Sequence, residues 1–341
     1  MATSQDHDAW QDTLPPAELL ARGVGPIATE EVPCCPVCGG RDKDRLAVGF
    51  DYELLTCSNP WRMVRCRDCG HVWLDPRPAI DTLGIIYPKE YYAYNYEQQI
   101  NRIAVWGKRQ LDRRKLRGIL RLLGRRPRSF LDIGCGQGRY LRTMARGGLS
   151  RDRIFGLELD EPIVRVLSAE GFRAFACRVE QCDTIPPGEI DLATMFHVIE
   201  HVDDPRAVAA KVASWLSPGG VFAVETPNID SLDARRFADT YWGGYHIPRH
   251  WNLFTPSTLA RLLDDCGLEV LDLRFQPGHS FWMYSLHHKL RYGKRPHPRL
   301  ARRFDPFRSL PPLVAFTAFD TLRAKLGCRT SAMLMLARKP E

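Results

Sequence analysis

Three stretches of the sequence carry residues whose types and spacing could do chemistry. In SFLDIGCGQG, a short apolar run from Ser129 to Ile133 leads into Gly134, Gly136 and Gly138, and a helix-like run from Arg139 to Ala145 follows. A strand, a glycine turn and a helix make a cradle. Glycine lets the backbone turn sharply and lets a ligand approach with no Cβ in the way. The helix N-terminus beyond it offers free N–H groups and partial positive charge to a carboxylate or phosphate. The dinucleotide fingerprint G-x-G-x-x-G is not met, because Arg139 stands where its third small residue belongs. Glu158 closes the next apolar run, IFGLEL, at a distance that suits a ribose diol.

The second stretch is MFHVIEHVDDP, Met195 to Pro205. His197, Glu200 and His201 are spaced i, i+3, i+4, so one helical turn puts them on one side. The letters also match the H-x-x-E-H of inverted zinc peptidases, but that motif needs a long helix and here an apolar strand runs straight into it. Farther on, YWGGYHIPRHWNLFTP (Tyr241 to Pro256) holds His246 and His250 among aromatics. Imidazole, with a pKa near 6.5, is suited to taking a hydroxyl proton.

The third is a pair of cysteine knuckles. CPVCG supplies Cys35 and Cys38, and CRDCG supplies Cys66 and Cys69. Each tight turn aims two thiolates at one ion, and two knuckles complete a tetrahedral structural zinc site. A redox dithiol would not need two matched knuckles. Cys34 and Cys57 are substitutes or bystanders. The 27 residues between the knuckles have room for a hairpin, with strands expected at Phe50 to Thr56 and Arg62 to Arg65. The chain has 11 cysteines, an odd number, and no secretory signal at MATSQDHDAW. That predicts reduced thiols and a cytoplasmic protein.

The elements that must position these residues follow from pattern. Residues 1–30 read as a flexible arm with one short helix near Ala17 to Arg22, and 31–78 as the zinc-binding module. Residues 79–128 are a tyrosine-rich linker, with Tyr87, Tyr91, Tyr92, Tyr94 and Tyr96 either forming a lid or packing between domains, and then a basic helix. In that helix Leu116, Ile119, Leu120 and Leu123 share a face. Residues 129–280 alternate strand and helix, which predicts a parallel sheet covered on both faces. The expected strands are 129–133, 154–158, 173–176, 190–196, 221–226 and 268–275, with helices near 139–146, 161–170, 204–216 and 257–265, and a turn at Ser217-Pro-Gly-Gly. Residues 281–341 are a C-terminal helical extension with a last strand at 331–337. The extension caps the substrate side or forms a dimer contact.

The net charge of +8 is uneven. Asn101 to Arg128 holds eleven Lys or Arg against one Asp, Lys289 to Arg308 holds eight against one, and the remainder is acidic. Two basic faces therefore face solvent, phosphates, an anionic substrate, nucleic acid or a membrane surface. No apolar run approaches the ~20 residues of a membrane span.

The glycine turn with Asp132 and Glu158 resembles motifs I and II of the class I S-adenosylmethionine (SAM)-dependent methyltransferases. MFHVIEHVDDP resembles the motif after the fourth strand in the broad group that includes ubiquinone-pathway O-methyltransferases. The aromatic loop resembles methyltransferases of glycan and natural-product pathways, many with N-terminal cysteine knuckles. The resemblance spans roughly residues 34 to 275. It implies an α/β fold: a seven-stranded, doubly wound, Rossmann-like sheet with its last strand antiparallel, and a small N-terminal zinc ribbon. It implies that Asp132, Gly134, Cys135, Gly136 and Gly138 hold the aminocarboxypropyl end of SAM and that Glu158 and Leu159 meet the ribose. Glu180 stands near the adenine contact, without the usual Asp, and His197 lies beside the cofactor. The catalytic candidates are His197, Glu200, His201 and His250. Either His250 or His201 is a metal-free base, or Glu200, His201 and a downstream His bind a divalent metal; His197 stands where such a metal motif has its first Glu. The acceptor implied is a hydroxyl of a sugar, glycan or small metabolite. RNA held by the zinc module and basic helix is the alternative, as is a SAM-binding protein without activity. Peripheral membrane contact through the C-terminal region is a further expectation.

Overall fold

A computed structural model describes residues 15–88 and 102–341. Tyr91, Tyr92, Tyr94 and Tyr96 of the expected lid lie outside the described residues. The chain forms two compact units. One comprises Met1–Tyr91, Asn228–Leu253 and Pro277–Ser331, and the other Tyr92–Pro227, Phe254–Gln276 and Ala332–Glu341.

The first unit is built on an antiparallel sheet of β2 (Lys43–Gly49), β3 (Trp61–Cys66), β4 (Val72–Leu74) and β11 (Asn252–Leu253), in the order β11-β4-β3-β2. A separate pair joins β1 (Thr29–Glu30) to β5 (Arg77–Pro78). The hairpin between the knuckles is present, but its first strand is β2, and Phe50 to Thr56 is not a strand. Buried Asp51 accepts hydrogen bonds from the backbone N–H of Leu54 (3.1 Å) and Thr56 (2.9 Å), and Leu55 takes φ +54. A side-chain-bonded turn thus overrides the apolar alternation of that segment.

Strand β11 comes from the aromatic loop and pairs with β4, so residues 228–253 share a core with the cysteine module. Trp61, Met63, Val72 and Leu74 pack in one cluster with Phe237, Trp242, Tyr245 and Trp251. Fully buried Arg249 forks onto Asp51 (3.0 and 2.9 Å) and donates from Nε to the carbonyl of Ile86 (2.8 Å). The unit is completed by α1 (Ala17–Ala21), α2 (Leu83–Ile86), α7 (Leu232–Arg236), α9 (His279–Tyr292), α10 (Pro298–Ala301) and α11 (Leu310–Lys325).

The second unit is a seven-stranded sheet. Its strands are β6 (Phe130–Ile133), β7 (Ile154–Glu158), β8 (Arg173–Ala176), β9 (Ile190–Phe196), β10 (Leu216–Pro227), β12 (Glu269–Gln276) and β13 (Ala332–Arg338). Their order is β12-β13-β10-β9-β6-β7-β8; β6 to β10 run parallel, and β13 is antiparallel to both its neighbours. The expected turn at Ser217-Pro-Gly-Gly falls inside β10, at a break in register between Leu216 and Val221. Helix α3 (Arg102–Leu123) buries Leu116, Ile119 and Leu123 at the expected spacing. Helices α4 (Arg139–Arg146), α5 (Glu161–Ala169), α6 (Pro205–Trp215) and α8 (Pro256–Asp264) complete the unit. Asp160 and Asp204 cap α5 and α6 by accepting from the N3 amide, and Thr255 with Thr258 forms a reciprocal cap on α8.

Sheet order reverses between β6 and β9. The crevice beyond the carboxyl ends of these two strands is where open parallel sheets bind ligands.

Candidate functional site

Strand β6 delivers the chain into the crevice. Gly134, Gly136 and Gly138 all take positive φ, at +68, +49 and +75, so the turn needs residues that tolerate the left-handed region. Their surroundings differ. A Cβ on Gly134 would lie 2.4 Å from the Val198 side chain, and one on Gly138 2.3 Å from Leu167. A Cβ on Gly136 would meet nothing within 4 Å. Two glycines therefore serve packing, and the middle one leaves an open face over backbone.

The turn is tied to the end of β7. The Gly136 N–H donates to Glu158 Oε2 (2.8 Å), and the N–H of exposed Leu159 donates to Oε1 (2.7 Å). Cys135 is buried beneath the turn. Asp132 is buried within β6 and accepts from the Thr194 hydroxyl of β9 (2.7 Å). Burial pushes its carboxyl up to about 7, against the Thr194 bond and the charges of Arg139 and Lys115.

At the end of β9 a second feature appears. His197 takes φ +57 and sits between two carboxylates, with Nδ1 3.3 Å from Glu200 Oε1 and Nε2 3.5 Å from Glu225 Oε1. Desolvation opposes its protonation, but the two carboxylates outweigh that and raise its pKa to about 9. It is an imidazolium at neutral pH. Fully buried Glu200 also accepts from the Thr226 hydroxyl (3.0 Å). Glu225, in β10, pairs with Lys115 of α3, and the ammonium lies 4.0 Å from the centroid of the Phe196 ring. Burial would raise the Glu225 carboxyl, but Lys115 and His197 hold it well below the usual carboxylate range.

Of the three residues expected on one side, His197 and Glu200 are in contact (3.3 Å), and the turn that carries Glu200 and His201 is a short 3₁₀ segment, Ile199–His201, not an α-helix. Glu225, Lys115, Thr194 and Thr226 were not anticipated. Thr226 and Glu225 lie on β10, about 25 residues beyond the motif in sequence, so only the strand order brings them in. Glu180 is half-buried and held by Arg178 (3.2 Å), which also pairs with Asp203.

His246 and His250 belong to the first unit. Glu53 stands 2.7 Å from His246 Nδ1, and the two imidazole rings meet edge to face at 4.8 Å. His250 is buried and its Nδ1 lies 2.8 Å from the Gly244 carbonyl. A carbonyl only accepts, so Nδ1 carries a proton.

The sulfurs of Cys35, Cys38, Cys66 and Cys69 all lie within 4.8 Å of one another, with the pairs Cys35–Cys69 at 3.6 Å and Cys38–Cys66 at 3.5 Å. Four sulfurs on a tetrahedral zinc would stand about 3.8 Å apart. Among the described residues the cysteines are free thiols, and Cys34 and Cys57 lie outside this cluster. Burial pushes the Cys69 thiol up to about 11. Four cysteine sulfurs at this spacing are a donor set that fits zinc.

Residues 107–273 match a family model described as a methyltransferase domain. This part of the chain is similar to methyltransferase domains. The glycine turn, Glu158 and the His197 network all lie inside it. The domain is similar to proteins named ubiquinone biosynthesis O-methyltransferase. That of Cupriavidus pinatubonensis is 28% identical over 171 residues, 46% of this chain and 65% of the relative. That of Xanthomonas euvesicatoria is 32% identical over 157 residues, 42% of this chain and 63% of the relative. The chain thus spans just under two thirds of the length of these curated relatives. A solved structure of the Burkholderia thailandensis 1,6-didemethyltoxoflavin-N1-methyltransferase, with bound 1,6-didemethyltoxoflavin and S-adenosylhomocysteine, is 17% identical. It covers 81% of this chain and 98% of its own, with a TM-score of 0.47.

Proposed function

We propose that this protein transfers a methyl group from SAM to a hydroxyl oxygen of a small molecule, with a sugar or glycan as the favoured class. The observation that carries the reading is the open face at Gly136, joined by a hydrogen bond to Glu158, inside a segment that matches the methyltransferase domain model. The choice of oxygen is supported by the names of the curated relatives.

In this reading the backbone of Gly134 to Gly138 and buried Asp132 hold the aminocarboxypropyl end of the cofactor. Glu158 exchanges its two backbone N–H partners for ribose hydroxyls, Leu159 covers that ribose, and Glu180 lies toward the adenine. When bound, SAM supplies the electrophilic methyl. His197 is a fixed cation beside the site and not a proton acceptor, because two carboxylates keep it charged. The acceptor's proton goes to a histidine with a basic nitrogen. His250 and His201 are the candidates.

A divalent ion on Glu200, His201 and a downstream histidine is the competing route. Both Glu200 oxygens already have partners, His197 and Thr226, so ligation would cost those bonds. We therefore favour a metal-free base, with zinc on the four cysteines as a structural ion. An RNA acceptor is disfavoured because part of the basic stretch serves the fold. Lys115 binds Glu225, and Arg125 and Arg128 bind Asp191 (2.7 and 3.2 Å).

The test has two parts. Calorimetry of SAM and S-adenosylhomocysteine binding checks the cofactor; no uptake by folded protein would overturn the reading. Incubation of sugar, glycan and phenol pools with methyl-labelled SAM, followed by mass spectrometry, then locates the transferred group. Full activity after chelation of exchangeable metal, with the cysteine zinc retained, excludes the divalent route.

A further inference from the structure

The longest helix of the C-terminal extension presents an apolar face outward. In α11, Asp320 is fully buried and fixes the rotation of the helix. Its carboxylate accepts from the Gly278 N–H (3.0 Å), the Trp282 indole (3.3 Å) and the Ser331 hydroxyl (3.3 Å), and it pairs with Arg323 (3.0 Å). At 3.6 residues per turn, Pro311, Val314, Ala318, Phe319 and Leu322 fall on the opposite side within an arc of about 140°. Val314 is 54% exposed, Phe319 43% and Leu322 58%, and Leu326 just beyond the helix is 71% exposed. A surface helix ordinarily puts polar side chains there. Here the one charge on that face is Lys325, at its C-terminal end.

A cationic segment adjoins the other end. Six Lys or Arg side chains between Lys294 and Arg308 are exposed, and Leu300 stands among them at 41% exposure. The turn Arg302–Phe304 is joined to the start of α11, where the Ser309 hydroxyl donates to the Arg302 carbonyl (3.1 Å). An apolar helix face flanked by cations at both ends is the arrangement that lies in a lipid interface. A second copy of the chain would also cover the apolar face. A two-fold pairing with the helices parallel would set cationic segment near cationic segment, whereas an anionic lipid surface attracts the cations at both ends of the helix. Among the described residues no helix is long and apolar enough to cross a membrane, so the geometry is that of a helix lying on the surface.

We propose that α11 and the Lys294–Arg308 segment dock the protein on an anionic phospholipid bilayer. This holds whatever the methyl acceptor is.

The experiment is flotation of the full chain with vesicles of phosphatidylcholine alone and of phosphatidylcholine mixed with phosphatidylglycerol. The parent floats with the anionic vesicles, not with the neutral ones, and high salt releases it. The variants Phe319→Asp/Leu322→Asp and Arg302→Glu/Arg303→Glu each lose at least about tenfold in partitioning. All altered side chains are exposed or partly so, and unchanged circular dichroism verifies the fold. The proposal fails if the parent stays unbound to anionic vesicles at low salt, or if either folded variant floats like the parent. It also fails if sedimentation velocity shows a parent dimer that Phe319→Asp/Leu322→Asp converts to monomer while no flotation occurs.

Discussion

Alanine placed in turn at Gly134, Gly136 and Gly138 separates the packing glycines from the cofactor glycine. Each substitution puts a Cβ on a residue with positive φ, which costs about 1–2 kcal/mol for an L side chain. At Gly134 and Gly138 the new methyl also lands 2.4 Å from Val198 and 2.3 Å from Leu167. Overpacking of that kind adds about 1–3 kcal/mol. The expected destabilisation is therefore about 2–5 kcal/mol at these two positions and about 1–2 kcal/mol at Gly136. Binding runs in the opposite order. The Gly136 methyl projects into the open face, so SAM affinity falls there by at least tenfold, about 1.4 kcal/mol. Urea denaturation gives the stabilities, and calorimetric titration with S-adenosylhomocysteine gives the affinities. Parent-like affinity in folded Gly136→Ala would refute the assignment of the open face to the cofactor. Equal destabilisation at all three positions would refute the division between packing and binding.

Three further outcomes are expected. Metal analysis of the purified parent gives one zinc per chain, and Cys66→Ser removes it and lowers folding yield; a parent without zinc would reject the cysteine site. Arg249→Met leaves Asp51 buried without its guanidinium and destabilises the first unit by about 3–5 kcal/mol, while Asp51→Leu/Arg249→Met recovers most of that loss. Tryptophan fluorescence during urea unfolding reads both variants. His197 has a folded pKa of about 9, above the ordinary imidazole value near 6.5. The stability it contributes is fully present below pH ~6.5 and lost as pH rises through about 9, so His197→Asn is destabilising at pH 6 and close to neutral at pH 10. The side chain is 45% exposed, so screening limits the effect to about 1 kcal/mol; a pH-independent difference would reject the clamp.

Much of the second unit was legible because its signals are local. Strands β6, β7 and β9 are mostly apolar runs, and the helix starts at Glu161 and Pro205 follow Asp160 and Asp204. The glycine turn was legible for the same reason. The first unit was less so. Its sheet takes Asn252 and Leu253 from the far side of the methyltransferase strands, a pairing with no local trace. Phe50 to Thr56 was misread as a strand because nothing in an alternating FDYELLT announces that Asp51 will bind its own backbone and a guanidinium 198 residues away. The basic stretch before Phe130 was read as a charged face. Its Lys115, Arg125 and Arg128 prove to be partners for carboxylates on β9 and β10, and partners so distant in sequence are invisible to composition.

The His197 network constrains the chemistry more than any single motif does. Two carboxylates, Glu200 and Glu225, face two cations, His197 and Lys115, across the ends of β9 and β10. In this balanced set, deprotonation of His197 would leave two buried carboxylates with one compensating charge. The network therefore resists the very change of state that a general base must undergo. His197 lies in a motif that resembles the family's and is among the catalytic candidates, yet its surroundings suit a fixed charge. A fixed cation at the carboxyl ends of the strands holds the Glu225 carboxyl low and both carboxylates in place, while proton acceptance requires an imidazole without such a clamp. If methyl transfer to a hydroxyl occurs here, the proton goes to a group other than His197.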